Sequence, residues 1–437
     1  MGGLVSCELN LLGTNMGQTM TEKLYAAHTE SGAAKAGDIV MVSPDVVLIN
    51  DVSGTITIEQ LARMQVTGPR YPERVVLVAD HFSPAKDIIS AQSIRLLRQF
   101  GRQFGIEHYY DAGNGGIEHT LLPEIGMIGP GGIVFGADSH TCTAGAFNAS
   151  GMGFGSTDLA AAMALGELWV KVPESMRIDI VGSPRPYVTG KDIILSLIAA
   201  IGSDGAANLS IEFGGPGLCH LNVDERMAVA NMAVEAGAET CVFEADEQVH
   251  AFAAAHGWRA RAAVAPDADA RYQSTRVIDL DTLEPLVAVP PSPANGTVLS
   301  KLVGTKVDQV YIGNCSNGTL TDLRQAASIL RGRKVSRDVR VIIVPATNAI
   351  YREAAAEGLL EVFAAAGAAV SLPTCGACFG GHMGVLAEGE TAIATTNRNF
   401  KGRMGHPNSR VYLSNAWVAA AAAINGEIVD PSMLAVI

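Results

Sequence analysis

Short apolar runs that end in polar loop residues recur along this chain, and each is followed by a stretch with helical periodicity. Val75–Ala79 reads as a buried strand and ends at Asp80-His81. Ile133–Phe135 reads the same way and ends at GADSHT. Val307–Ile312 ends at GNCSNG, and a helix is predicted beyond it from Thr321, its N-cap, through LRQAASILRGRK. Val339–Val344 ends at PATN and leads into the helical IYREAAAEGLLEVFAAAG. Strands alternating with helices predict an α/β fold of mostly parallel sheets flanked by helices. Ligands of such sheets bind beyond the carboxyl ends of the strands. The chemically interesting residues of this chain sit at those predicted ends.

The punctuation divides the chain. Residues 1–16 read as an extension and 17–172 as an α/β domain carrying the Asp-His and GADSHT loops. A second α/β domain is expected over 173–288, after the helix-like STDLAAAMALGELWVKV. VPPSPANG, residues 289–296, is rich in Pro and turn formers and reads as a linker to a cysteine-loop domain at 297–437. With 437 residues, 48% of them hydrophobic and 17% charged, the chain has enough apolar material for several packed domains. A net charge of −13 without a Lys/Arg block argues against a nucleic-acid surface. No apolar stretch reaches the roughly 18 residues of a membrane span. Seven cysteines, an odd number in a large chain, point to a reducing, cytoplasmic setting with free thiols or metal sites rather than a disulfide framework.

Three groups of residues could carry chemistry. Cys315 lies in IGNCSNG, and Cys375 and Cys378 lie in LPTCGACFGG. Three thiolates is one short of the four that structural zinc and most iron–sulfur clusters take. A four-iron cube held by three cysteines would leave one iron free to polarise a substrate hydroxyl. Cys375-Gly-Ala-Cys378 alone would equally suit zinc or a redox pair. Cys7, Cys142, Cys219 and Cys241 remain alternative ligands, with a small buried hydrophobe as the plain reading of each. The second group is acid–base: Asp80 and His81, His119 in GGIEHTLLPE, and Asp138-Ser139-His140. A carboxylate beside an imidazole orients it and raises its pKa, so that it can deliver a proton to a leaving hydroxyl. Each of these histidines also has a plain reading as a hydrogen-bonded loop residue. The third is the basic loop NRNFKGRMG, where Arg398 and Arg403 could grip a carboxylate while Asn397 and Asn399 support their neighbours; its plain reading is a solvated turn.

GADSHT, YIGNCSNG, CGAC and NRNFKGRMG, in this order, resemble the aconitase superfamily over about Gly17 to Asp430. The likeness is nearest to the large subunits of its isopropylmalate dehydratase and homoaconitase branch. STDLAAAMALGELWVKVPES and NMAVEAGAET also look like the family. The resemblance implies an aconitase-like three-domain arrangement lacking the C-terminal swivelling domain. It implies a [4Fe–4S] cluster, one per chain, on Cys315, Cys375 and Cys378, with one iron free of protein ligand. Asp80 and His81 match the pair that protonates the departing hydroxyl, and His119, Asp138 and His140 match residues around the hydroxyl on the open iron, with Ser139 beside them. Glu235 joins that proton network, Asn231 and Asn397 support the cluster, and Arg398 and Arg403 match substrate-carboxylate binders. Asn50 stands where aconitases place a substrate-contacting glutamine, one methylene longer, which leaves the substrate open. The resemblance also implies a separate small subunit that supplies the swivelling domain and its serine base. The activity implied is reversible dehydration or isomerisation of a hydroxy di- or tricarboxylic acid. 3-Isopropylmalate comes first, and homocitrate-type acids, 2,3-dimethylmalate, citramalate and maleate are alternatives. A cluster-free RNA- or metal-binding protein is the reading from another class, and the full histidine–carboxylate set and the negative charge count against it.

Overall fold

A computed structural model describes residues 17–434. The reading of residues 1–16 as an extension falls outside them. The first described element is a short helix, Met20–Ala26, whose Thr19 and Glu22 close a capping box.

Three larger sheets organise the chain. The first has five strands in the order Tyr109–Tyr110, Val75–Val78, Val46–Asn50, Ile133–Gly136, Ser150–Gly153, and all its neighbours are parallel. Its three central strands are buried at every position. This is why they appear in the sequence as unbroken apolar runs rather than as an alternation. The second sheet has four parallel strands, ordered Thr240–Phe243, Leu209–Gly214, Glu174–Val181, Ser274–Asp279. The third has seven, and Arg410–Leu413, Thr391–Ala394, Gln309–Ile312, Arg340–Ile343 and Ala369–Val370 form its parallel part. A small antiparallel pair, Ile39–Val42 with Leu168–Lys171, completes the set.

The structure departs from the sequence expectations at three places. Segment 289–296 is not a linker between domains. It joins Leu286–Ala288 to Gly296–Val298, antiparallel neighbours at the edge of the third sheet, so its prolines and glycine make a hairpin connection. The second and third sheets also share one apolar cluster, in which Ile178, Ile211 and Phe213 pack in the same body as Tyr311, Ala392 and Leu413. The helix after Ile312 is Leu320–Leu330, capped by Thr319 with Asp322 rather than by Thr321; Thr321 instead donates its hydroxyl to Asp224. The long helical stretch after PATN is two helices, Asn348–Ala356 and Leu359–Ala366, broken at Gly358, whose φ is +72°. Among the described residues no helix is long and apolar enough to cross a membrane.

Candidate active site

The first and third sheets direct carboxyl ends of their parallel strands to one place. Val46–Asn50 delivers Asn50 and Asp51, Val75–Val78 delivers Asp80 and His81, and Ile133–Gly136 delivers Asp138, Ser139 and His140. From the third sheet, Gln309–Ile312 delivers Cys315 and Thr391–Ala394 delivers Asn397 and Arg398. Asn231 ends the helix Val223–Asn231, and Glu235 lies in the following turn. Gly313 opens the Cys315 loop at φ +121°, where a Cβ would stand 1.9 Å from the Val344 carbonyl oxygen; only glycine permits the close turn.

The three thiols are buried. Cys315 Sγ accepts from Asn231 Nδ2 at 3.2 Å and from Asn397 Nδ2 at 3.4 Å. Asn397 is held in turn by Asn231 at 3.0 Å. Asn314 Nδ2 lies 3.8 Å from Cys378 Sγ. A hydrogen bond from Cys375 draws the Cys378 thiol down to about 5, against burial, with the Arg403 and His140 cations adding to it. The same bond, with burial and the negative charge nearby, pushes Cys375 up; burial and Cys378 do so for Cys315. The buried hydroxyl of Tyr311 and the buried Nε of Arg403 beside these thiols have no hydrogen-bond partner. Lys191, at the start of the helix Gly190–Ile201, lies wholly buried behind the loops and donates to the Thr396 carbonyl at 3.0 Å and to Ser316 Oγ at 3.2 Å. Burial lowers it to about 8.

Donor atoms do close to within 4.8 Å of one another in the trios Asp51–Asp80–His81 and His81–Glu118–Asp138, but the three thiols form no such group. Thiolates on a single tetrahedral ion would stand closer than that, given metal–sulfur bonds of about 2.3 Å. The wider triangle, its amide donors and the orphaned cation and hydroxyl beside it fit a polynuclear iron–sulfur group.

Against the thiols stands a chain of charged groups. Asp80 Oδ1 meets His81 Nδ1 at 2.7 Å, and Asp80 Oδ2 accepts the Glu118 amide at 2.8 Å. Burial opposes charge on His81, yet the Asp80 carboxylate outweighs it, and with the smaller pulls of an ionised Glu118 and of Asp51 added the imidazolium is lifted to about 10. His119 Nε2 meets Asp138 Oδ1 at 2.9 Å, and His140 Nδ1 meets the same oxygen at 3.2 Å. His140 Nε2 meets Glu235 Oε1 at 2.8 Å, and Arg398 Nε donates to that oxygen at 2.6 Å. Arg398 Nη2 reaches Ser139 Oγ at 3.0 Å. Asp138 is held well below the usual carboxylate range, its histidine hydrogen bonds overcoming burial. His140, facing a carboxylate at each nitrogen, is raised despite burial.

The site thus gathers Asp80, His81, His119, Asp138, Ser139, His140, Asn231, Glu235, Cys315, Cys375, Cys378, Asn397 and Arg398. Arg403 stands on the thiol side, beside Cys378, rather than with Arg398. Asn50 is 2% exposed and fully engaged within the chain: its Oδ1 accepts from Val52 N, Ser53 N and Ser53 Oγ, and its Nδ2 donates to Glu118. Asn399 braces backbone instead, donating to the Ala288 and Val411 carbonyls. Cys142 and Cys241 lie buried behind the GADSHT loop and Cys219 is exposed, all free thiols. Sequence reasoning passed over three residues here. Asp51 accepts the backbone amides of Asp80, His81 and Phe82. Lys191 sits in an apolar helix pattern that gave no hint of it. Glu118 precedes His119 in the same motif, and its place in a strand-to-helix turn was the available signal.

A cavity of about 870 Å³ lies elsewhere, lined by Trp169, Lys171, Glu174, Asp204, Glu239 and their neighbours, and none of the thiol or histidine loops lines it.

The model of the aconitase family (aconitate hydratase) matches residues 22–306 and 301–426. The 3-isopropylmalate dehydratase large subunit 2 of Rubrobacter xylanophilus is 55% identical over 419 residues, covering 96% of this chain and 99% of that protein. The 3-isopropylmalate dehydratase large subunit of Acetivibrio thermocellus is 48% identical over 96% of this chain and the whole of its own length. That of Moorella thermoacetica is 50% identical over 95% and 99%. Among solved structures, aconitase X of Thermococcus kodakaraensis in its holo form superimposes with a TM-score of 0.52 at 13% identity, over 88% of this chain and 90% of that one, a likeness of fold.

Proposed function

The chain belongs to the aconitase family, and we propose that it is the large subunit of a 3-isopropylmalate dehydratase, a hydro-lyase of leucine biosynthesis that reversibly removes water from a hydroxy dicarboxylic acid. The observation that carries the reading is the meeting of three buried thiols with the Asp80–His81 pair, joined where the Cys375 amide donates to the Asp80 carbonyl at 2.8 Å. The names of relatives at 47–55% identity supply the substrate.

Cys315, Cys375 and Cys378 would hold a [4Fe–4S] group, with Asn231 and Asn397 donating to Cys315 Sγ. Such a group supplies Lewis-acid polarisation of a hydroxyl, which makes it a better leaving group. His81, kept protonated by Asp80, gives its Nε2 proton to the departing hydroxyl. Asp138 holds His119 and His140 in place through Oδ1. Glu235 links His140 to Arg398, so that the guanidinium stands beside the proton donors and orients a substrate carboxylate. A small subunit would bring the base that takes the proton from carbon.

The test is to co-purify the chain with a small subunit from the same genome and assay it against 2- and 3-isopropylmalate, homocitrate, dimethylmalate, citramalate and maleate. Turnover of isopropylmalate with stoichiometric iron supports the reading. Exclusive turnover of another acid moves the chain to another branch of the family, and full turnover by the large subunit alone refutes the need for a partner.

A further inference from the structure

Five carboxylates lie in or under the site, and four of them are well supplied with donors. Asp51 accepts three backbone amides. Asp80 has His81 and the Glu118 amide. Asp138 has His119, His140 Nδ1 and the His140 amide. Glu235 has His140 and the Arg398 guanidinium. Glu118 differs. Its side chain is 0% exposed, Oε1 accepts one neutral amide hydrogen from Asn50 at 2.9 Å, and Oε2 is buried with no partner.

Its surroundings add negative charge. A carboxyl oxygen of Glu118 lies within 4.8 Å of ligand atoms of both His81 and Asp138. The groups that face it are Asn50 from the end of one strand, Asp80 and His81 from the next, Asp138 from a third, and His119 on its own helix, Nε2 at 3.8 Å from Oε1. Cys315 stands one turn beyond, its carbonyl oxygen 3.4 Å from Thr120 Oγ1. Taking an ionised carboxylate out of water with a single neutral donor is costly, and a proton removes the cost. Burial, then Asp80, then Asp138, all push Glu118 well above its ordinary value.

We propose that Glu118 is a positioning residue of the dehydration: a buried carboxylic acid that keeps its proton and so leaves His81 able to release its own. An ionised Glu118 would add a fourth carboxylate to the pull that Asp80 at 2.7 Å, Asp51 at 3.8 Å and Asp138 at 3.9 Å already exert on the His81 ring. A neutral one adds none, and the buried Oε2 that has no donor then needs none. In the step concerned the His81 Nε2–H bond breaks, an O–H bond of water forms on the departing hydroxide, and the imidazole returns to its neutral form. Two carboxyl groups with environments that drive their proton affinities apart divide the labour in this way: Glu118 holds the proton and Asp138 the charge. The inference rests on the dehydratase reading for the identity of the proton's destination.

The experiment has a spectroscopic and a kinetic arm. Infrared difference spectra of the large subunit labelled with [13C]carboxyl glutamate are read above pH 7, because burial lifts Glu225 to about 7 and it must be ionised first. A protonated glutamate carbonyl band should persist there in the wild type and vanish in Glu118→Gln. The wild-type spectrum needs no variant to fold, and absence of the band overturns the proposal. In the complex with the small subunit, Glu118→Gln, which copies the neutral acid, should lower kcat by about two- to tenfold, the value of one neutral hydrogen bond, and leave the alkaline limb of the pH profile in place. A limb displaced to lower pH would show that a negative charge had been removed, and would overturn the proposal. A wild-type complex that carries the band but turns over no hydroxy acid sinks the dehydratase reading instead, while the neutral acid stands.

Discussion

The two halves of the site are held by different physics. On the thiol side the sulfurs are met mainly by neutral amides, Asn231, Asn314 and Asn397, which orient without carrying charge, with Arg403 the one guanidinium beside Cys378. On the proton side nearly every link is between ionisable groups, from Asp80 through His81, and from His119 through Asp138, His140 and Glu235 to Arg398. Neutral donors stabilise a fixed negative group whatever the pH. Charged partners decide where a proton rests, and so make that half sensitive to every substitution that alters charge. The contrast teaches that removing a supporting amide on the thiol side should cost less than neutralising a charged group on the proton side.

The largest effect is expected from Cys375→Ser, which removes a ligand outright. The brown chromophore and the activity should both be lost, with the far-ultraviolet circular dichroism of the α/β fold unchanged; full activity without iron would end the cluster assignment. On the proton side, His81→Gln should cut kcat by about 10²–10⁴-fold, the usual worth of a positioned acid, while iron content stays at the wild-type level. Loss of iron in that variant would show that the two halves are not separable. Asn231→Ala tests the neutral side; removing a supporting donor costs about 10–100-fold in retention of a bound metal group or in activity, read as iron loss to a chelator. The contrast fails if His81→Gln and Asn231→Ala have equal effects on both readouts.

The pH response follows the charged half. The folded-state value of His81, about 10, lies above its ordinary 6.5. The Asp80–His81 pair therefore stabilises the fold in full below about 6.5, and that contribution is lost as pH rises toward about 10. Chemical denaturation across this range should show the loss in the wild type and a flatter curve in His81→Gln. The smallest effect belongs to neither half: Glu390→Gln, which breaks the exposed pair with Arg340, should change stability by no more than about 1 kcal/mol and leave activity alone.

The sequence made the strand ends readable because the central strands are buried on both faces and therefore unbroken in hydrophobicity. Val75–Val78 and Ile133–Gly136 fall where the pattern placed them, and the polar residues after them are the ones gathered at the site. The hairpin at 289–296 is not legible because proline and glycine mark a turn equally well inside a sheet and between domains. Thr321 is indistinguishable from Thr319 as a cap because both precede the apolar run, and only the Asp322 side chain, reaching back, separates them. Lys191 is illegible for another reason: a lone charged residue reads as exposed, and nothing local says that it will be buried.

One bond described above joins matters that are usually kept apart. The amide of Cys375 and the hydroxyl of Thr374 both donate to the carbonyl oxygen of Asp80, so the peptide that carries a buried thiol also fixes the backbone of the acid pair. Whatever displaces the Cys375 loop displaces the start of the proton relay with it, through a single peptide unit.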